Sequence, residues 1–423
     1  MFRVDAAFSG ELRENWRILL IAFAVLFFGF SAPAYALPFL YPEVIAEFGW
    51  TREQATLLAS AKYLTGAVAS ILVGRFLDVT GVWIALLFSI TIGGLALVGF
   101  LFIGDLTTYY IAGVLLGIAG PGAMVTVFVM MARTFREAQG TATGIALLGT
   151  GLGGVVMPLV TAALIGSVGW RMGMALLSLG IWLIAVPLLI CGMHSVPVGR
   201  GEERERNASD EPKANGPVAY IGSLMRGHTF WLLSIAFFLV TIVDQALVQH
   251  QVLMFNDAGV SPEMAAVGVS LIGLLSMAGR IAAGTVLDRY SNRGLALFYL
   301  LLTVVAFLCL FLANPAVFAL FIVLRALAHA GVMIDGPVLG RHCFGVRHLG
   351  VLLGLFTAMA NIGSAAGPWL MARLFDQAGS YDDALLLFTL LPVISAVAIS
   401  VLKPKIWLQQ RARTAATEGR IRC

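Results

Sequence analysis

The stretch SLIGLLSMAGRIAAGTVLDRY, residues 270–290, is apolar enough to cross a lipid bilayer, yet it carries a full positive charge, Arg280, inside the apolar run. Arg280 lies eight residues before Asp288 at the polar end, which is about 12 Å along an α-helix. Because the hydrocarbon half-thickness is roughly 15 Å, we expect Arg280 near the middle of the membrane. A guanidinium stays charged there and needs a wet cavity, a partner or an anionic ligand. The stretch therefore predicts a functional cation, the alternative being a permanent ion pair with Asp244.

The bulk composition extends this interpretation to the whole chain. The 423 residues are 59% hydrophobic and only 12% charged, and the mean hydropathy is +0.91, whereas soluble domains contain about 25% charged residues. We predict an all-α polytopic membrane protein with twelve transmembrane helices, called spans one to twelve. The predicted spans are 17–41, 55–77, 82–104, 108–131, 142–166, 172–193, 229–253, 264–287, 294–314, 316–339, 350–375 and 382–402.

The sequence repeats itself at an offset of 210 residues without a gap over a long stretch. Glu47 falls on Asp257, and the glycines and aspartates of two similar loops also coincide. The further matches are Gly74, Leu77, Asp78, Gly140, Gly144, Gly153, Pro158 and Gly169 with Gly284, Leu287, Asp288, Gly350, Gly354, Gly363, Pro368 and Gly379. An even number of spans in each copy predicts two bundles of the same orientation. We expect six-helix bundles at 1–195 and 229–423, with a tail after the second, and a linker at 196–228.

Charge patterning indicates the orientation in the membrane. Most basic residues lie on the side of the charged linker, whereas the predicted outer loops contain only Arg52, Arg171 and Arg373. This positive-inside pattern predicts that the linker and both termini are cytoplasmic, in a multi-pass protein of the cell inner membrane. It explains the pI of 9.0 without a nucleic-acid partner. The composition leaves open whether the linker is flexible or partly helical.

The remaining composition suggests few other partners. Four scattered cysteines without CxxC spacing predict neither a disulfide framework nor a metal site. The opening segment is too polar and the first apolar run too long for a cleaved signal peptide, so we expect span one to be retained. We predict no cofactor, and a monomer in the lipid bilayer.

Two loop motifs carry a resemblance to a known family. The sequence GRFLD at 74–78 and its echo GTVLDR at 284–289, with two six-helix halves and a charged linker, resemble the major facilitator superfamily. In that family the motif braces helix ends on the cytoplasmic side, which implies a gating role for Gly74, Asp78, Gly284, Asp288 and Arg289. The first copy lacks the basic residues that follow the aspartate in the family. The resemblance implies a secondary transporter that works by alternating access.

A narrower resemblance rests on EFGWTREQ at 47–54, GIALLGTGLGG at 144–154, GWR at 169–171 and the Gly-Arg pair of span eight. These segments are similar to the monocarboxylate and oxalate-formate branch, in which the span-eight arginine binds the substrate carboxylate. That role carries over to Arg280. The animal members have an aspartate where this chain has Ser276, and bacterial anion exchangers have a span-eleven lysine that is missing here. Dicarboxylate exchange is therefore less expected.

The repeat provides an internal control for the buried charges. Asp244, Arg280, Arg325 and His329 correspond to Ala34, Ser70, Leu115 and Ala119 in the other half. Because the same helix positions tolerate uncharged residues, the fold does not require these charges. Their concentration in spans seven, eight and ten favours a site in the second half.

The roles of these groups remain open between alternatives. Arg325 and His329 are four residues apart and share a helix face, which makes Arg325 a second candidate for substrate binding. His329 is either a proton-sensitive group or a donor to a backbone carbonyl. Asp244 either carries a coupled proton or is locked to Arg325 or Arg280. His250, toward the outer end of span seven, is a further candidate for the proton pathway or an entrance.

Other polar residues complete the candidate site. Tyr35 lies in the Pro- and Gly-rich stretch GFSAPAYALPFLYP, residues 29–42, which predicts a broken helix; its phenol either binds a carboxylate or packs. Lys62 either binds substrate or extends to the outer headgroups. Asn361 and Ser364, one turn apart, are expected to add hydrogen bonds, and Asp335 is expected at the cytoplasmic rim.

These observations predict a transporter of a small organic anion of the monocarboxylate class, coupled to protons, with a cavity between the halves. One alternative with the same fold is an exporter of a neutral or drug-like solute, in which Arg280 is structural. Another is a solute sensor that does not transport. No HExxH motif occurs, and no two aspartates have the spacing that intramembrane proteolysis needs, so the sequence does not indicate an enzyme.

Overall fold

The computed structural model describes residues 6–135, 139–195, 224–344 and 349–404. These residues form helices and no strands, and eleven of the helices are long and apolar enough to cross a membrane. A twelfth helix, Leu349–Ala378, is 30 residues long. The spans are Trp16–Phe48, Arg52–Thr80, Val82–Phe102, Leu106–Thr134, Gln139–Val168, Trp170–Gly192, His228–Asp257, Pro262–Tyr290, Asn292–Phe311, Pro315–Val332, Leu349–Ala378 and Asp382–Val401. The prediction of an all-α, twelve-span membrane protein is confirmed.

Short polar motifs fix the ends of the helices. At the start of span two, the Thr51 hydroxyl accepts from the backbone N–H of Gln54 at 3.2 Å, and the Gln54 side chain accepts from the Thr51 N–H at 3.0 Å. This reciprocal pair satisfies two donors that the first turn leaves open. Before span four, the Asp105 carboxylate accepts from the Thr108 N–H at 2.7 Å. Side-chain caps thus set both starting points.

Span one is continuous where its Pro- and Gly-rich sequence predicts a break. A π-helical segment, Val25–Ser31, precedes Pro33, and Pro38 and Pro42 lie inside the helix that follows. The Ser31 hydroxyl donates to the Leu26 carbonyl, five residues back, at 2.9 Å. The helix therefore continues through one wide, π-helical turn and is not interrupted.

Span ten is shorter than its predicted range, 316–339. The helix Pro315–Val332 ends at a turn, and a separate helix, Asp335–Phe344, follows it. The Asp335 carboxylate accepts from the backbone N–H of Gly336 at 2.5 Å. An acidic residue in the first turn favours a helix start, so the polar Asp335 begins a new element where apolar length alone predicted a continuous one.

The chain contains two compact units. One comprises the described residues within 1–213 together with 251–274, and the other comprises those within 214–250 and 275–423. The first unit thus includes the final residues of span seven and the first half of span eight. The division into bundles at 1–195 and 229–423 stays a prediction.

Small residues allow close helix packing inside each unit. In the first unit, a Cβ at Gly154 would lie 2.9 Å from the Tyr35 hydroxyl, and one at Gly149 would lie 2.6 Å from the Phe23 carbonyl. In the second, a Cβ at Gly363 would lie 2.7 Å from the Phe238 carbonyl. Spans one and five, and likewise spans seven and eleven, approach at distances that only glycine permits.

Candidate functional site

Asp244 and Arg325 form a fully buried ion pair between spans seven and ten. Arg325 Nη1 donates to Asp244 Oδ1 at 2.7 Å, and Nη2 donates to the backbone carbonyl of Asp244 at 3.0 Å. The two side chains are 0% and 1% exposed. Of the alternatives open for Asp244, the contacts show the pairing with Arg325.

His329 is the third member of this cluster. Its Nδ1 lies 2.9 Å from Asp244 Oδ1 and 3.1 Å from Oδ2. Because a carboxylate that faces a guanidinium is ionised and only accepts hydrogen bonds, Nδ1 must carry the hydrogen. Gln245 Nε2 also donates to Asp244 Oδ2, at 3.1 Å. His329 therefore bonds to a carboxylate rather than to the backbone carbonyl that was the alternative.

Arg280 has no such partner among the described residues. Within the described residues, its guanidinium forms no hydrogen bond or ion pair, and its Nε atom is buried without an acceptor. The hydroxyl of Ser276, one turn earlier on the same helix face, is also buried and lacks a described partner. The ion pair of Arg280 with Asp244 is thus absent from the described contacts, and two unsatisfied donors share one side of span eight.

Spans eight and ten pack directly beside these groups. A Cβ at Gly279 would lie 3.1 Å from the Ala330 side chain and 3.5 Å from that of Leu327. Arg280 follows Gly279 in the chain, and His329 precedes Ala330. The unpaired arginine and the histidine of the cluster therefore flank one helix crossing inside the second unit.

His250 is enclosed by protein groups that contact both of its ring nitrogens. It is fully buried, and Nε2 lies 3.0 Å from the Pro368 carbonyl while Nδ1 lies 2.9 Å from the Tyr381 hydroxyl. Since a carbonyl only accepts, Nε2 carries the hydrogen. Both ring nitrogens are engaged, so the ring ties span seven to spans eleven and twelve.

The remaining predicted site residues have described contacts of other kinds. In the first unit, Lys62 Nζ lies 5.1 Å from the Tyr63 ring centroid, with no hydrogen bond or ion pair to any described residue, and Tyr35 packs against Gly154. In the second unit, the Ser364 hydroxyl donates to its own helix at Ala360, 2.8 Å away. The half-buried Asn361 forms no hydrogen bond within the described ranges.

Asp335 forms a second polar contact in the second unit. The buried Tyr299 hydroxyl donates to its carboxylate at 2.8 Å, while the Gly336 N–H donates to the other oxygen. The carboxylate is half-buried and satisfied by protein donors. Its predicted place at the cytoplasmic rim stays a prediction.

The two loop motifs have different surroundings. In the first copy, Gly74 is exposed, and the side chain of Asp78 lies outside the described residues. In the second copy, Gly284 is half-buried, Asp288 and Arg289 are exposed, and the Arg289 guanidinium lies 5.6 Å from the Tyr290 ring centroid. The gating role of these residues stays a prediction.

Ser291 is a residue that the sequence interpretation missed. It adopts φ 51°, the sole positive φ of a non-glycine residue in the described ranges, where its repeat equivalent is Gly81 at φ 83°. Its hydroxyl is 2.9 Å from Nδ1 of His342. Burial lowers the pKa of His342 and so favours its neutral ring. The available signal was that a serine replaces the glycine of the first copy three residues after the motif aspartate.

Two of the quoted motifs meet at one end of the first unit. Glu47 accepts from Trp170 Nε1 at 2.7 Å and from Arg171 Nη1 at 2.5 Å, which joins the EFGW and GWR segments. At the repeat-equivalent position, Asp257 pairs instead with Arg52, through two hydrogen bonds of 2.7 Å. These motifs therefore connect helix ends through hydrogen bonds and ion pairs.

Comparison with known proteins agrees with this architecture. A profile of the Major Facilitator Superfamily matches residues 19–336 and 250–418. The chain is similar to a solved D-xylose-proton symporter, with a TM-score of 0.71 and 14% identity, over 92% of this chain and 98% of that one. It is also similar to a bacterial homologue of the human lysosomal transporter Spinster, with a TM-score of 0.66 and 16% identity, over 96% and 98%. Identities this low show the fold alone.

Some relatives that are similar in sequence have names that specify a substrate. The chain is 26% identical to Monocarboxylate transporter 12 of Rattus norvegicus over 353 residues, which is 74% of this chain and 71% of the relative. It is 27% identical to the oxalate:formate antiporter of Oxalobacter formigenes over 259 residues, 60% and 56% of the two chains.

Proposed function

The chain belongs to the Major Facilitator Superfamily, and from that premise we propose that it transports a small organic monocarboxylate by alternating access, together with a proton. The observation that carries the proposal is that Arg280 has no hydrogen-bond or ionic partner among the described residues. The carboxylate that would neutralise it, Asp244, already serves Arg325 and His329. A water-filled cavity or an anionic ligand can then compensate a cation at this depth, and the proposal takes the anion.

The chemistry of the site supports a carboxylate as that ligand. A guanidinium presents paired N–H donors that match the two oxygens of a carboxylate. The buried Ser276 hydroxyl, on the same face of span eight, offers a third donor without a described partner. The relatives named for monocarboxylates, oxalate and formate act on the same chemical class.

The distribution of basic residues supports an orientation with both termini and the linker in the cytoplasm of a cell inner membrane. The proposal takes the segments 1–195 and 229–423 as the two bundles that alternate around the substrate. In this scheme Lys62, Tyr35 and Asn361 are further contacts for the anion.

Uptake into proteoliposomes tests the proposal. Purified protein is reconstituted and offered labelled formate, acetate, lactate and pyruvate. Arg280→Lys keeps the charge but loses the paired donors, and we expect affinity for the transported acid to fall about tenfold to a hundredfold. Arg280→Gln is expected to abolish binding. Arg226→Gln, at an exposed position of the same unit, is the matched control and should behave as the wild type.

Folding separates a binding role from a structural one. Because Arg280 has no ionic partner among the described residues, Arg280→Gln should unfold at the wild-type denaturant concentration or above it. Wild-type uptake of the acids by Arg280→Gln would refute Arg280 as the anion-binding group.

A further inference from the structure

We propose that His329 is the group that takes up the transported proton, at its Nε2 atom, while Asp244 orients the ring and balances its charge. This inference rests on the proton-coupled transport proposed above and assigns its proton to one atom.

The hydrogen-bond geometry leaves one basic site in the cluster. Nδ1 of His329 donates to Asp244, so the neutral ring has its lone pair on Nε2. No described residue bonds to that atom. The His329 side chain is 15% exposed, whereas those of Asp244 and Arg325 are 0% and 1% exposed. His329 is therefore the member of the cluster that meets accessible space.

Asp244 is a poorer proton acceptor because its oxygens are occupied. Oδ1 receives Arg325 Nη1, Oδ2 receives Gln245 Nε2, and both oxygens lie within reach of His329 Nδ1. A proton on this carboxylate would displace one of these donors and leave Arg325 uncompensated. His250 is excluded on similar grounds, since both of its ring nitrogens are engaged and the residue is fully buried.

The titratable and charged groups around His329 come from every neighbouring element. They are Asp244 on span seven, Arg280 on span eight, Tyr299 and Cys309 on span nine, Arg325 on span ten and Asp335 on the following helix. Asp244 and Arg325 cancel, Tyr299 donates to Asp335, and Arg280 is a cation without a partner in the described part of the chain. Protonation of His329 thus adds a positive charge on span ten, at its crossing with span eight, which carries Arg280.

This placement couples the proton to the substrate. An anion on Arg280 offsets the new charge on His329, and the protonated ring in turn strengthens the binding of the anion, as linkage requires. In each cycle the Nε2 lone pair takes a proton from water on one side of the membrane, forming an N–H bond. The same bond releases its proton to water on the other side after the anion leaves.

The transport test compares two modes in proteoliposomes with labelled lactate. His329→Asn keeps an N–H donor at the position of Nδ1 but has no basic nitrogen, and His329→Gln is a second variant. We expect lactate exchange at equal pH to persist, with loss of accumulation driven by a pH gradient and of the proton influx seen by an internal pH dye. His228→Asn, at the exposed start of span seven, is the control. Proton influx that persists in both His329 variants overturns the inference and leaves monocarboxylate transport standing.

Nitrogen NMR of protein with labelled histidines tests the site without any substrate. The signal that disappears in His329→Asn should show the Nδ1–H tautomer in the neutral ring, and lowering the pH should convert it to imidazolium. A ring that stays neutral at every pH at which the protein remains folded refutes the inference. A titrating His329 in a protein that transports none of the four acids would instead count against the proposed function.

Discussion

Where Asp244, Arg325 and His329 meet in the second half, the equivalent positions of the first half hold Ala34, Leu115 and Ala119. Both halves nevertheless build the same packing around these positions: Gly153 faces Ser31 in one, and Gly363 faces Thr241 in the other. The charged cluster is therefore an addition to a helix arrangement that exists without it. Its buried charges cost desolvation energy, so their presence in one half points to a function of that half.

The largest effect should come from breaking the cluster. Asp244→Ala leaves Arg325 buried without a counter-charge, and we expect a loss of about 3–5 kcal/mol in the free energy of unfolding. Asp244→Ala with Arg325→Leu and His329→Ala installs the residues of the first half and removes both charges. Denaturant unfolding of the purified proteins should show that the triple variant is more stable than the single one. A triple variant as unstable as the single one would mean that the fold of the second half requires these charges.

A smaller effect should distinguish the turns that follow the two loop motifs. Gly81 has φ 83° and ψ 166° with no atom within 4 Å of an added Cβ, so Gly81→Ala should cost about 1–3 kcal/mol through backbone strain alone. Ser291→Gly removes similar strain but loses the bond to His342, worth about 0.5–1.5 kcal/mol, and should be neutral or slightly stabilising. Gly99→Ala, in a helical conformation, is the control in the same unfolding measurement. Equal losses at positions 81 and 291 would contradict this explanation.

The smallest effects are expected at Glu47 and Asp257, which occupy equivalent positions but hold different partners. Glu47→Gln weakens bonds to both Trp170 and Arg171, and should cost about 1 kcal/mol. Asp257→Asn weakens one partly exposed pair with Arg52, and should cost roughly 0.2–1 kcal/mol, less at high salt. Unfolding at low and high salt measures both. A larger loss for Asp257→Asn would show that its pair contributes more than exposure allows.

The sequence predicted the features that depend on local pattern. Apolar length placed the spans, the offset of 210 residues identified the repeat, and four-residue spacing put Arg325 and His329 on one face. The sequence could not identify the partner of Asp244, because Asp244 lies 81 residues from Arg325 and Arg280 was an equally plausible partner. The surroundings of His250 depend on residues 118 and 131 positions away. Such contacts follow from helix packing, which composition and periodicity do not specify.

The wide turn at Val25–Ser31 also changes how far the symmetry of the two halves extends. Thr241, the equivalent of Ser31, donates four residues back to Phe237, whereas Ser31 donates five residues back to Leu26. One extra residue in a turn rotates everything beyond it by about 100° around the helix axis. Residues 16–24 therefore point in a different direction around the helix axis from their counterparts in span seven. Equivalent residues of the two halves face the same direction on one side of this turn and different directions on the other.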